Sequence, residues 1–208
     1  MCAQFARVPE LDTQNDAPAA QCVPSSVGVA TKRVWLSGAW SGHTSPVLDH
    51  VITLQPTPFG DPVARHIHAR YLLDIEARYG GGPGHVPSHE FDPPGGQFLV
   101  ALTGRQVVGC AGIRRHTDHV AELKRMYVEP EARGLGIARS MITHLESVAR
   151  QQGYNEMWLE TGTEQPEAMS LYESCGYRPI DPYGAFRHSP LNRCYGKLLQ
   201  RPTTEPES

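Results

Sequence analysis

Nowhere in the 208 residues do two cysteines stand at C-x-x-C spacing; the five present, Cys2, Cys22, Cys110, Cys175 and Cys194, are scattered and odd in number. That speaks against a disulfide framework and predicts reduced thiols in a cytoplasmic protein. Also missing is any apolar run near the roughly 18 residues that a membrane span needs. The N-terminus lacks the positive and then apolar stretches of a secretory leader, so neither a membrane partner nor export is expected. Basic charge is not in excess: 19 Lys and Arg against 22 Asp and Glu give a formal net charge of −3. No field of the kind that displaces counterions from nucleic acid follows from that balance, and nucleic acid is not an expected partner. Histidine is plentiful, but the near pairs His66/His68, His85/His89 and His116/His119 have no cysteines at zinc spacing. His85 and His89 alone are i, i+4, within a proline-broken stretch, so no metal is expected.

What the chain does have is glycine (20) and proline (18) around a 39% hydrophobic composition, the signature of one globular domain rich in turns. Residues 1–46 are polar and small, with Trp35 and Trp40 isolated among them, and read as a flexible N-terminal extension; a start codon further downstream is the other reading. A domain spanning 47–201 follows, then a polar tail over 202–208. HVITLQP reads as a strand. DPVARHIHARYLLDIEARYG reads as a helix with Val63, Ile67, Tyr71, Leu72 and Ile75 on one stripe and a stop at Gly80. The Gly/Pro-rich run from Gly80 to Gly96 is a long loop, in the role of a lid or substrate wall. QFLVAL and QVVGCAGIRR flank Thr103-Gly104-Arg105 as a hairpin. AELKRMYV is the next strand, and a β-bulge between Leu123 and Met126 is needed to bring both to one face. IARSMITHLESVARQQG carries Ala138, Met141, Ile142, Leu145 and Val148 on one stripe, MWLET is a strand and QPEAMSLYESCG a short helix. YRPI and RCYGKLL are late strands, completing a mixed α/β order without internal repeats.

The stretch VEPEARGLGIAR, Val128 to Arg139, hands a strand to a helix through two glycines. A helix start leaves several N–H groups without carbonyl partners, and they attract anions with help from the helix dipole. Gly134 and Gly136 let a phosphate approach the backbone, and Arg133 offers a full charge. The alternative is a tight turn and nothing more. There is no Gly-Lys-Ser/Thr of a Walker loop and no complete G-x-G-x-x-G.

The run from AELKRMYV through MWLET, followed by EAMSLYESCGY, resembles the GNAT superfamily of acyl-CoA-dependent N-acetyltransferases. In that family an R/Q-x-x-G-x-G/A loop joins the fourth strand to a long helix, and Arg133, Gly136 and Ala138 stand at its motif positions. The resemblance covers roughly Val51 to Leu199. It implies a mixed, mostly antiparallel sheet flanked by helices, whose splayed central strands form the cleft for acetyl-CoA, the co-substrate. It also implies that the segment Arg133, Gly134, Leu135, Gly136, Ile137, Ala138 and Arg139 holds the coenzyme pyrophosphate. Met126, Tyr127 and Val128 would run beside the pantetheine arm, and an amide freed at the bulge would polarise the thioester carbonyl. Gln165 stands where the family commonly has Asn, which leaves its hydrogen bond to the pantetheine open. Homodimers are common in the family.

Acyl transfer to an amine needs a base at the start and an acid at the end, because amines of lysine type titrate near about 10.4 and thiols near about 8.5. Tyr172, in Ala168-x-x-Leu171-Tyr172, matches the family tyrosine beside the sulfur and is the candidate acid; the other reading is a core aromatic. Glu122 matches a strand glutamate that acts, directly or through water, as general base in some members; the other reading is a carboxylate that orients water or pairs with Lys124 or Arg114. The resemblance implies acetyl transfer to a primary amine of a small molecule. A protein or peptide acetyltransferase and a non-catalytic acyl-CoA sensor are the rivals. The first helix, the loop from Gly80 to Gly96 and the segment with Tyr183, Phe186 and His188 are expected to wall the acceptor side, where Glu90 and Asp92 would draw in a cation.

Overall fold

The computed structural model describes residues 30–33 and 51–199. Within the expected N-terminal extension, Ala30–Arg33 forms strand β1, antiparallel to β2 (Val51–Pro56). The rest of 1–46, with Trp35 and Trp40, and the tail 202–208 lie outside the described residues. Helix α1 runs unbroken from Pro62 to Tyr79: Asp61 Oδ1 accepts from the Val63 amide at 2.8 Å, proline occupies the first turn, and Gly80 ends the helix at φ 68°. Then come β3 (Gln97–Thr103), β4 (Gln106–Arg115), β5 (Val120–Val128), α2 (Ile137–Gln151), β6 (Glu156–Gly162), α3 (Pro166–Ser174), β7 (Arg178–Pro179) and β8 (Asn192–Leu198).

The strands form one sheet in the order β1-β2-β3-β4-β5-β6-β8-β7. Every neighbouring pair is antiparallel except β5 and β6, and α2 supplies the crossover that a parallel pair requires. QFLVAL reads as an unbroken apolar run because the sheet is covered on both faces. Phe98 and Val100 face a cluster with Ile67, Tyr71 and Ile75 of α1, whereas Leu99 and Ala101 join Met141, Ile142 and Leu145 of α2. Each of the larger aliphatic and Phe side chains among them contributes about 1.5–3 kcal/mol on burial.

Two sequence expectations change here. The stripe of α1 is Ala64, Ile67, Tyr71 and Ile75, while Val63 and Leu72 are exposed, because α1 presents one narrow face to the sheet. The Gly80–Gly96 segment is not wholly irregular: Ser88–Phe91 makes a 3-10 turn that drives Phe91 into the core against Phe98. The expected bulge is present. Gly112 pairs with Lys124 and Cys110 with Tyr127, so β5 carries one residue more than β4, and Arg125 takes the left-handed φ of 58°. Leu123 and Met126 thereby pack on the same cluster.

Candidate active site

The sheet comes apart where the chemistry is expected. The β5–β6 register runs from Val120/Glu156 to Leu123/Leu159 and stops. Beyond it β5 stays with β4 through Val128, while β6 stays with β8 through Gly162, so the two central strands diverge. A cleft occupies the gap, with Lys124, Arg125 and Met126 on one edge and Glu160, Thr161 and Gly162 on the other. Tyr71, Ile75 and Tyr79 of α1, Tyr172 of α3, and the loops at Gly81–Pro83 and Phe186–Leu191 complete its walls.

The structure brings Tyr172, Met126 and Gln165 of the expected site residues into this cleft. Tyr172 is 6% exposed and its hydroxyl lies 3.6 Å from Met126 Sδ. Burial raises its pKa, which keeps the phenol protonated and able to donate. Gln165 Oε1 accepts from Tyr79 Oη and Thr161 Oγ1, both at 3.4 Å. The side chain of Tyr127 instead joins the α1 cluster, its hydroxyl donating to Glu129 at 2.8 Å. Burial and then Glu129 push that phenol up to about 12. Val128 packs on the α2 cluster.

At the start of α2 the backbone fits an anion. Gly134 and Gly136 stand at φ 81° and 76°, conformations that favour glycine, and space beside each is open. No side chain caps the helix, and its first internal bond runs from the Ser140 amide to the Gly136 carbonyl. The N–H groups of Ile137, Ala138 and Arg139 are therefore left over, as a pyrophosphate cradle requires. The side chains here have other work. Ile137 is core and Leu135 packs beside it, while Arg139 ties α2 to Ser174 of α3. Arg133 does not aim its charge at the cradle. Its guanidinium bonds the Val128 carbonyl at 3.0 Å and Asp74 at 3.3 Å, since α1 places that carboxylate within reach.

Glu122 is 1% exposed and does not line the cleft. Its carboxylate accepts from Arg114 Nε at 2.8 Å and Tyr183 Oη at 3.1 Å and pairs with Lys124 Nζ at 2.7 Å. Burial pushes the carboxyl up, but Lys124 and Arg114 outweigh it and hold the group below its ordinary value. Both ion pairs weighed for Glu122, with Arg114 and with Lys124, are present, and a carboxylate so engaged is a weak proton acceptor by direct contact. Glu90, expected to draw in a cationic acceptor, is paired with Arg114 instead. Of the late segment, Phe186 lines the cleft, Tyr183 turns to Glu122 and stacks near Trp158 and His116, and His188 is exposed. Among the described residues no group of three or more metal-ligating side chains converges.

Two cleft residues escaped sequence reasoning. Glu160 Oε2 meets Lys124 Nζ at 2.8 Å, while its Oε1 is buried without a partner. Arg125, at the bulge, is buried with its Nε unpartnered. Only the parallel register of β5 and β6 and the position of the bulge place these two across one gap.

Comparison with known proteins agrees with this geometry. Residues 63–177 match the Acetyltransferase (GNAT) family. The chain is 33% identical over 156 residues to an IAA acetyltransferase of Azospirillum brasilense, covering 73% of this chain and all of that one. It is 32% identical over 142 residues to the uncharacterized N-acetyltransferase YjgM of Escherichia coli, covering 66% and 84%. In fold it is similar to an acyl-CoA N-acyltransferase of Klebsiella pneumoniae, with a TM-score of 0.62 at 24% identity over 72% of this chain and 98% of that one. The chain, with its split mixed sheet and the uncapped glycine turn that opens α2, belongs to the GNAT family of acetyl-CoA-dependent N-acetyltransferases.

Proposed function

We propose that the protein acetylates the primary amine of a small molecule by direct attack within a complex of enzyme, acetyl-CoA and acceptor. One observation carries this reading: the β5–β6 split holds a buried phenol, Tyr172, and an unpartnered carboxylate oxygen, Glu160 Oε1, in the same cleft. Acetyl-CoA supplies the activated acetyl group. The amides at the start of α2 hold its pyrophosphate, and Met126 and Gln165 border its arm. Glu160 accepts a hydrogen bond from the acceptor's ammonium and then its proton, so that the free amine attacks the carbonyl carbon. As the carbon–sulfur bond breaks, Tyr172 donates its proton to the departing sulfur, and the nitrogen, which carries one proton more than the amide product, returns that proton to the tyrosinate. Walls on both sides, at Gly81–Pro83 and Phe186–Leu191, favour a small acceptor over an extended polypeptide.

The test is thiol release from acetyl-CoA across a panel of amines, amino acids, polyamines and peptides, with Tyr172→Phe as control. Turnover should fall about 100-fold in the variant while coenzyme affinity by calorimetry stays unchanged. Coenzyme binding with no release from any acceptor supports the sensor reading, and release with peptides alone supports a peptide acetyltransferase.

A further inference from the structure

We propose that Arg125 is a carboxylate anchor, so that the acceptor is an amino acid or another small amine that also carries a carboxylate. This narrows the acetyl-transfer reading above and rests on it. Arg125 is 6% exposed, yet among the described residues it forms no ion pair. The other cations around the site each have a carboxylate: Arg70 has Glu129, Arg78 has Asp74, Arg114 and Lys124 have Glu122, and Arg133 has Asp74. The Arg125 guanidinium donates to the Gly84 carbonyl at 2.7 Å through Nη2, lies 5.8 Å from the centre of the Tyr71 ring, and keeps Nε without a partner.

A buried cation without a counter-charge is costly, and so is a left-handed φ of 58° at a residue with a side chain. Both costs fall on one residue at the bulge, where β5 has just left β6, and that residue lines the cleft. Strain held at such a position is characteristic of ligand sites. The planar guanidinium matches a carboxylate in two-point geometry. No neighbour substitutes for the missing anion. His68, beside Arg125, is lowered to about 4 by burial and by Arg125 itself, so at neutral pH it is uncharged. The coenzyme phosphates have their own cradle at the start of α2, further along the chain.

Glu160 completes the match. The cleft offers one cation lacking an anion and one carboxylate oxygen lacking a donor, the complement of a molecule bearing both ammonium and carboxylate. Tyr71, Ile75 and Phe186 give its side chain an apolar wall. A polyamine would bring a second positive charge towards Arg125 and is disfavoured.

The experiment compares an α-amino acid, its primary amide and its decarboxylated amine by thiol release at saturating acetyl-CoA, using the full chain and its Arg125→Gln variant. For wild type, kcat/KM should be about 10- to 100-fold higher for the amino acid. In the variant the ratio should shrink to within about threefold, with coenzyme affinity unchanged. Equal use of all three by wild type overturns the proposal even if the variant does not fold, and so does a variant that keeps the full preference. Should no acceptor be turned over, calorimetry of amino acid and amide on the coenzyme-loaded protein decides. Preferential binding of the carboxylate upholds the anchor and removes the transferase reading, and equal or absent binding overturns the anchor.

Discussion

Replacing Glu122 with Gln separates a structural carboxylate from a catalytic base. Breaking a buried ion pair from one side costs about 3–5 kcal/mol when the partner is left uncompensated. Here neither cation is stranded, because Arg114 keeps Glu90 and Lys124 keeps Glu160. Gln also retains an oxygen that can accept from Tyr183. The expected loss is therefore about 2 kcal/mol, or about 4–8 °C in Tm for a domain of this size. Because its folded pKa is depressed, Glu122 contributes stability that is fully present above the unfolded value of about 4.3 and is lost as pH falls through the folded value. The gap between wild type and Glu122→Gln, measured by urea unfolding, should thus be full at pH 7 and shrink only as pH falls below about 4.3 towards the depressed folded value. The pH profile of kcat/KM should keep its shape, shifted only in height. A variant as stable as wild type that loses about 100-fold in kcat along with one limb of the profile would refute the ion-pair assignment and make Glu122 the base.

Four further predictions concern the cleft and the start of α2. The Tyr172→Phe and Arg125→Gln variants are expected to divide the reaction, the first lowering turnover at constant coenzyme affinity and the second erasing the preference for a carboxylate. Gly136→Ala meets no neighbouring atom but forces a methyl-bearing residue to φ 76°, so Tm should fall by about 2–8 °C and coenzyme affinity should drop as the helix start shifts. An unchanged Tm would mean that the turn relaxes without strain. Glu160→Gln removes the charge that faces Lys124 and the acceptor, and should lower kcat about 100-fold while thiol release regains rate as pH rises. A flat pH response at wild-type rate would exclude Glu160 as the proton acceptor.

Much of the fold was legible in the sequence because local rules and tertiary context agree in it. The β3–β4 hairpin follows from two apolar runs around Gly104, and α2 from a stripe of Met141, Ile142, Leu145 and Val148 that stays buried in the folded chain. The bulge followed from a clash of parity between Leu123 and Met126, and the uncapped start of α2 from two glycines before a helix. These signals are short-range: dihedral preferences, periodicity and caps act within a turn or a strand. Partnership is a different matter. Whether Glu122 faces the cleft or an arginine, whether Arg133 reaches a phosphate or Asp74, and whether Glu160 and Arg125 share one cavity all depend on which strands lie side by side. The partners those side chains have in the fold follow from the parallel β5–β6 pairing that ends at Leu123 and from the face that α1 presents, contacts between residues far apart in the chain. By itself the sequence determined the elements and the glycine turn; the tertiary structure alone decided that Tyr172 lines the cleft and which charges pair and which polar atoms stay unpartnered, because electrostatic pairing depends on distance in space.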